Sequence, residues 1–526
     1  MDFQSNDNMG IRLLKKGKRG LFRTVFSRSG LFAILILVQL GLLISIFGYF
    51  TDFATHYFAV TTVLYGGSVL YVINSRTNPT AKITWIVLIM LVPVLGVGLL
   101  IYTKKNIGHR AIKRRVEHLV KETDSLICQD REVIEALSQV SPETVSLSNF
   151  INRGGCYPVY NNTDIKYFPQ GEDKFEALLD ELEKAKHFIF LEYFIIDEGL
   201  MWGKVLDVLA RKAAEGVEVR LMYDGTCEFT TLPHNYPERL KALGINCKMF
   251  SPVTPFVSTH YNYRDHRKIL LIDGHTAFTG GINLADEYIN EINRFGHWKD
   301  TAIMLKGEAV KSFTLMFLQL WNVDEKEPEF EKYLEFNAGY DGNAEGYVIP
   351  YGDCPLDNEK VGEMVYIDIL NRAQKYVHIM SPYLILDGET ETALKFAAER
   401  GVDVSLILPG IPDKKYVHAL AKTHYASLLE SGVKIYEYTP GFVHAKVFVS
   451  DDIKAVVGTI NLDYRSLYHH FECAAYMYGT DCIADIEADF LNTKDRCRMV
   501  TEETIKNEKL SVKITGQLLK IIAPLM

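Results

Sequence analysis

The stretch Tyr263-Arg264-Asp265-His266-Arg267-Lys268-Ile269-Leu270-Leu271-Ile272-Asp273-Gly274 decides the fold, because His444-Ala445-Lys446-Val447-Phe448-Val449-Ser450-Asp451 repeats its spacing 178 positions later. Each stretch is apolar after its lysine and ends in turn-forming residues, so each reads as a strand entering a hairpin. Side chains two apart on a strand share a face, which puts His266 with Lys268 and His444 with Lys446. Ordinary residue usage predicts roughly 0.05 matches to H-x-K-x4-D in a chain of 526 residues. Two matches mark a duplicated unit.

The repeat extends on both sides. Downstream, Thr279-Gly280-Gly281-Ile282-Asn283 is answered by Gly458-Thr459-Ile460-Asn461, with the asparagines again 178 positions apart. Upstream, a strand-like run over 187–196, a helix-like stretch over 205–214 and a strand over 217–223 recur as 376–386, 391–399 and 402–408. Gly216-Val217-Glu218-Val219 is matched by Gly401-Val402-Asp403-Val404. Two like halves of this size normally pack face to face and build one site between them. The expected architecture is α/β, with a first half over 151–323 and a second over 346–526. Between them, 324–345 is acidic and glycine-containing, broken by Pro328, and reads as a connector.

Residues 1–103 read as a membrane anchor and 104–150 as a helical linker. Leu31 to Phe50 and Ile83 to Thr103 are charge-free runs long enough for spanning helices, which need about 20 residues. Phe58 to Asn74, interrupted by Gly66 and Gly67, is a possible third span. Basic residues precede the first run (Arg12, Lys15, Lys16, Lys18, Arg19) and follow the last (Lys104, Lys105, Arg110, Lys113, Arg114). Both flanks therefore suit the cytoplasmic side, which requires an even number of crossings of a multi-pass cell-membrane protein and a cytoplasm-facing catalytic part. The tail over 502–526 reads as a final core helix in preference to a membrane contact.

The net charge of −9 argues against bulk electrostatic binding of nucleic acid. The eight cysteines lack C-x-x-C spacing and read as reduced, buried thiols; no H-E-x-x-H helix offers a zinc site. Neither a P-loop nor a G-x-S-x-G elbow occurs, so no nucleotide cofactor is implied.

Phosphodiester cleavage needs a nucleophile, an acid for the leaving oxygen, and donors where charge collects on the phosphoryl oxygens. His266 and His444 can divide the first two roles. Lys268 and Lys446 would supply charge, and Asn283 and Asn461 amide donors for binding phosphate. Asp300, in Trp298-Lys299-Asp300, and Glu472 are the candidates for orienting the imidazoles. Asp273 and Asp451 complete the motifs and are counted with the catalytic set, although their place at the strand ends suits turn architecture or ion pairing. This arrangement needs no metal.

With both motifs, their Gly-Gly-Ile-Asn and Gly-Thr-Ile-Asn sequels, the run Asn461-Leu462-Asp463-Tyr464-Arg465-Ser466 and the apolar N-terminal segments, the chain resembles the phospholipase D superfamily. More closely, it resembles the bacterial cardiolipin synthases over nearly its whole length. The resemblance implies two α/β sandwich halves whose motifs form one active site. It also implies an enzyme that joins two phosphatidylglycerols into cardiolipin and releases glycerol. One motif histidine would attack phosphorus to give a phosphohistidine, and the other would act as acid and base. The usual order in related enzymes assigns attack to His266 and acid/base work to His444. A hydrolase or a transferase with another acceptor would share these residues, because water exclusion decides the acceptor. A nuclease would want a basic groove, and a non-catalytic scaffold has no need of both intact motifs.

Overall fold

A computed structural model describes residues 54–75, 77–105, 109–251, 263–336, 344–357 and 359–525, with Gly41 and Ser45 as isolated helical positions. Over these residues the chain forms two compact units, one of 112–251 with 263–516 and one of 54–111 with 517–525.

The smaller unit contains the helices Ala54–Asn74, Pro79–Leu91 and Pro93–Lys105 around a core of Val72, Trp85, Ile89, Val97 and Leu100. The 83–103 run is divided between two of these helices. At Val92 the backbone leaves helical geometry (φ −137°), and Pro93, which has no N–H to offer the preceding turn, starts the next helix. Gly96 turns back so closely that a Cβ there would sit 2.8 Å from the Ile89 Cα. The 58–74 segment lies inside the continuous helix Ala54–Asn74. Among the described residues no helix is long and apolar enough to cross a membrane. The 31–50 run lies outside them, apart from Gly41 and Ser45.

The larger unit is built twice. In the first half the strands are β1 (Thr163–Phe168), β2 (Phe188–Tyr193), β3 (Glu218–Asp224), β4 (Asn246–Phe250), β5 (Arg264–Asp265), β6 (Lys268–Ile272), β7 (Thr276–Gly280), β8 (His297–Lys299) and β9 (Ala302–Gly307). The second half supplies β10 (Tyr347–Asp353), β11 (Tyr376–Met380), β12 (Asp403–Pro409), β13 (Lys434–Tyr438), β14 (Gly441–Val443), β15 (Val447–Ser450), β16 (Lys454–Gly458), β17 (His470–Tyr478) and β18 (Cys497–Met499). The first sheet runs β1-β9-β7-β6-β2-β3-β4, and the second runs β10-β17-β16-β15-β11-β12-β13-β18. Strand for strand the order is the same until β18 extends the second sheet.

Each central parallel trio, β2-β3-β4 and β11-β12-β13, is linked by helices, among them Leu200–Ala214 and Gly388–Glu399. Strand β2, Phe-Ile-Phe-Leu-Glu-Tyr, is buried throughout, as a strand covered on both faces must be. Its alternation sorts the core: Ile189 and Leu191 join Leu270, Leu206 and Leu209 on one face. Phe188 and Phe190 join Ile269, Leu271 and Phe317 on the other, in a core that continues into Val348, Tyr351 and Phe448 of the second half. Helix Val310–Trp321 buries every residue except Lys311, which explains its apolar character all round.

The sequence-based elements differ in three places. The run over 376–386 ends as a strand at Met380, because Pro382 cannot extend the ladder. Within 324–345, Tyr333 and Leu334 are buried, and the Arg220 guanidinium lies 4.9 Å from the Tyr333 ring, so this part of the connector is packed. The tail helix Leu510–Ile522 buries only Gly516, while Leu518 is 63% exposed. The core reading of that tail is corrected, since its apolar positions point outward. Of the thiols expected to be buried, Cys227, Cys473 and Cys482 are; Cys156, Cys247, Cys354 and Cys497 are half-buried and Cys128 is exposed.

Candidate active site

Each motif histidine stands where its strand leaves one half and meets a strand of the other. The short β5 pairs in parallel with β17, aligning Arg264 with His470 and Asp265 with Phe471, and the next amide, His266 N–H, donates to the Phe471 carbonyl at 2.9 Å. In the second half β14 pairs in parallel with β8, and His444 N–H donates to the Lys299 carbonyl at 2.7 Å. The two crossings are related by the internal repeat.

The orienting carboxylates cross as well. His266 Nδ1 lies 2.9 Å from both oxygens of Glu472, and His444 Nδ1 lies 2.7 Å from Asp300 Oδ2. Both carboxylates are fully buried. An ionised carboxylate can only accept, so Nδ1 carries the proton on each ring and Nε2 keeps its lone pair. The Thr459 hydroxyl donates to Glu472, and the Thr301 amide donates to Asp300 Oδ1 at 2.8 Å. Gly281 makes room for this: a Cβ there would fall 2.0 Å from Asp300 Oδ1.

Burial, opposed only in part by Glu472, drives the His266 imidazole well below its ordinary range. Burial and the neighbouring Lys446 take His444 down to about 4. Glu472 is raised by burial, but attraction to His266, a hydrogen bond from that ring and the approach of His470 outweigh it and hold the carboxyl below its usual range. At neutral pH both rings are thus neutral, and His266 faces the Glu472 anion. Burial also lowers Lys268 to about 8 and Lys446 to about 7. Lys268 acts electrostatically on both His444 and Lys446, so the two motifs share one electrostatic site. Lys268 Nζ donates to the His266 carbonyl at 2.5 Å, and Lys446 Nζ donates to the His444 carbonyl. Lys446 Nζ also lies 2.9 Å from His444 Nδ1.

Asn283 is tied down, its Oδ1 accepting from Ile195 N–H at 3.0 Å and its Nδ2 donating to the Tyr288 hydroxyl at 2.7 Å. Asn461 is buried, and its Oδ1 has no hydrogen-bond partner among the described residues.

The structure places Asp273 and Asp451 elsewhere, which corrects their inclusion in the catalytic set. Asp273 accepts from the amides of Lys186, His187 and Phe188 at 2.7 to 2.8 Å, clamping the start of β2. Asp451 does the same for Gln374, Lys375 and Tyr376 at the start of β11. Each has positive φ, 48° and 56°, in the hairpin that follows its motif strand. Their carboxylate oxygens are engaged by these backbone amides.

Three buried residues were missed from sequence. The His470 ring centroid lies 5.3 Å from that of His266, the two planes tilted by 39°, and its position two before Glu472 on β17 was a usable signal. Arg267, between the motif histidine and lysine, donates to the Met316 carbonyl at 3.0 Å and to the Glu472 carbonyl at 3.3 Å, tying the halves together. Lys174 donates to the Tyr193 hydroxyl at 3.2 Å, and burial lowers it to about 7. It comes from an ordinary amphipathic helix, Gly171–Lys184, and carried no signal.

Comparison with known proteins bears on this arrangement. The family described as "Cardiolipin synthase, PLD-like domain" matches residues 178–321 and 366–494, one segment in each half. The cardiolipin synthase of Geobacillus sp. (strain WCH70) is 34% identical over 452 residues, covering 85% of this chain and 89% of that one. This chain belongs to the cardiolipin synthase family. Within the same similarity, an uncharacterized protein of Streptococcus mutans is 58% identical over 88% of this chain and the whole of that one. In fold, the family's duplicated architecture is shared with the phosphatidylserine synthase of Haemophilus influenzae. That structure superposes with a TM-score of 0.56 at 14% identity, covering 73% of this chain and 98% of the other.

Proposed function

We propose that this chain makes cardiolipin and glycerol from two phosphatidylglycerols through a phosphohistidine on His266. The crossed pairs His266–Glu472 and His444–Asp300, in a member of the cardiolipin synthase family, carry this reading. In the first step His266 Nε2 forms a bond to the phosphatidyl phosphorus as the bond to the head-group glycerol breaks. His444 gives that oxygen its proton. In the second step the hydroxyl of another phosphatidylglycerol attacks phosphorus, passes its proton to His444, and releases His266.

The resting rings are neutral, so His444 must gain a proton when substrate binds. An anionic phosphodiester beside it favours the protonated imidazole and both ammonium groups. Lys268 and Lys446 then neutralise the phosphoryl oxygens, with Asn283 and Asn461 beside them. Glu472 compensates the positive charge that His266 acquires on phosphorylation, as a buried carboxylate does for an imidazolium.

The apolar runs 31–50 and 83–103, with basic residues on both sides, support attachment to the cell membrane with the catalytic part facing the cytoplasm. Membrane attachment places the enzyme where both lipid substrates reside. Protease digestion of sealed right-side-out and inverted vesicles tests the orientation.

The test of the chemistry is a product assay on membranes containing wild type or His266→Ala, supplied with phosphatidylglycerol. Cardiolipin with equimolar glycerol, absent in the variant, is the expected result. Phosphatidate as the main product would replace the lipid acceptor with water. A trapped phosphopeptide containing His444 would reverse the two histidine roles.

A further inference from the structure

His470 has no part in the reaction just described, yet it is 7% exposed and neither of its ring nitrogens has a hydrogen-bond partner among the described residues. Leaving such a group unsatisfied in a buried site is costly, of the order of 1–3 kcal/mol. Its closest charged neighbour is Glu472, whose Oε1 lies 3.6 Å from His470 Nδ1, beyond hydrogen-bond distance. The same oxygen is 2.9 Å from His266 Nδ1. One donor atom from each of His266, His470 and Glu472 falls within 4.8 Å of the others.

We propose that these three side chains form an inhibitory site for a borderline divalent cation of the zinc class. Two imidazole nitrogens and a carboxylate oxygen are a ligand set that Zn2+ takes and Mg2+ does not, since Mg2+ wants an all-oxygen octahedron. Zinc bonds of about 2.0 Å in tetrahedral geometry put donors roughly 3.3 Å apart. The two separations to Glu472 Oε1, 2.9 and 3.6 Å, lie on either side of that value. The Lys268 ammonium acts on His266 and opposes a cation, which weakens the site's hold on the ion. Spacing rules for zinc overlook the cluster because His266 stands 206 positions before Glu472.

The inhibition follows from the tautomer, and in this it rests on the reading of His266 as nucleophile. Free His266 carries its proton on Nδ1 and its reactive lone pair on Nε2. When the metal takes the Nδ1 lone pair, the proton moves to Nε2 with no net release. The atom that attacks phosphorus then has no free pair.

The full-length protein in detergent, wild type and His470→Asn, is titrated with Zn2+ during cardiolipin formation and, separately, with Co2+ while its visible absorption is recorded. Wild type should lose activity with Zn2+, keep it at the same concentration of Mg2+, and recover it with a chelator. His470→Asn, whatever metal-free rate it retains, should need at least about tenfold more Zn2+ for half-inhibition of that rate, since even outer partners of a metal site cost 10–100-fold. The tetrahedral Co2+ absorption should be present in wild type and lost in the variant. Equal zinc sensitivity of the two proteins, or no Co2+ absorption in wild type, overturns the site. Should His470→Asn fold poorly, His470→Gln takes its place. The Co2+ measurement needs no turnover, so it still reads the site if the protein makes no cardiolipin, a result that would count against the proposed function alone.

Discussion

Glu472, from the second half of the molecule, holds His266 of the first half with both carboxylate oxygens 2.9 Å from Nδ1. Asp300 returns the arrangement, holding His444 from the first half at 2.7 Å. Each imidazole is presented by one repeat and aimed by the other, so the reacting geometry exists only when the two sheets are docked.

Glu472→Gln and Asp300→Asn keep shape but remove the charge that fixes the ring tautomer. Each should lower the rate of cardiolipin formation by about 10³ to 10⁴-fold, the scale seen when a buried carboxylate behind a catalytic histidine becomes an amide. Turnover per mole of folded protein is the measurement. Rates near wild type would show that the carboxylates do not orient the rings.

Asp273→Ala and Asp451→Ala should behave differently. Each strips the partner from three backbone amides and leaves a non-glycine residue at positive φ, costing about 1–3 kcal/mol of stability. The thermal midpoint should fall while activity per folded molecule stays close to wild type. A thousandfold rate loss with unchanged unfolding would return these aspartates to the catalytic set.

Lys446 sits near 7 and Lys268 near 8 because of burial, so both lose charge as pH rises into the alkaline range. The free-enzyme quantity kcat/KM should therefore decline above about pH 7 to 8. The same shifts set stability. Below its ordinary value a folded-state lysine binds fewer protons than the unfolded one, so stability rises with pH between the lowered and the ordinary pKa. For His444, at about 4 against 6.5, the matching rise lies between those two values. Denaturant titrations across that range check the sign, and a flat kcat/KM up to pH 9.5 would remove the lysines from phosphate binding.

Gly281→Ala puts a methyl group 2.0 Å from Asp300 Oδ1. Because the carboxylate must move to admit it, activity should fall at least about a hundredfold, the lower end of losing one fixed electrostatic contact. The companion measurement is the pH profile of the residual activity, which should change if the His444 orientation is lost. An active Gly281→Ala enzyme would mean that Asp300 tolerates displacement.

The histidines, lysines and asparagines were legible because duplication repeats them at a fixed offset, and strand periodicity shows which of them share a face. The sheets were legible in outline for the same reason, with β2 and β11 as apolar runs. The crossing was not legible. It joins residues 206 and 144 positions apart, and only the docking of one half on the other decides which carboxylate meets which ring. A turn role for Asp273 and Asp451 was readable from their place at the strand ends, but the amides they capture were not, since a turn that clamps a distant strand start leaves no periodic trace. The break at Val92 was readable from Pro93, but the surrounding apolar run outweighed it.

The crossed pairs also bear on how such an enzyme could specialise. A chain with a single motif could complete this geometry only by pairing with a copy of itself, and then every change would be made in both places at once. Fusion of the two copies removes that constraint. Here one ring is held by an aspartate beside Gly281 and the other by a glutamate beside Thr459, differences that identical subunits could not maintain. Asymmetry of this kind would let two histidines of the same origin take the unlike parts proposed for them.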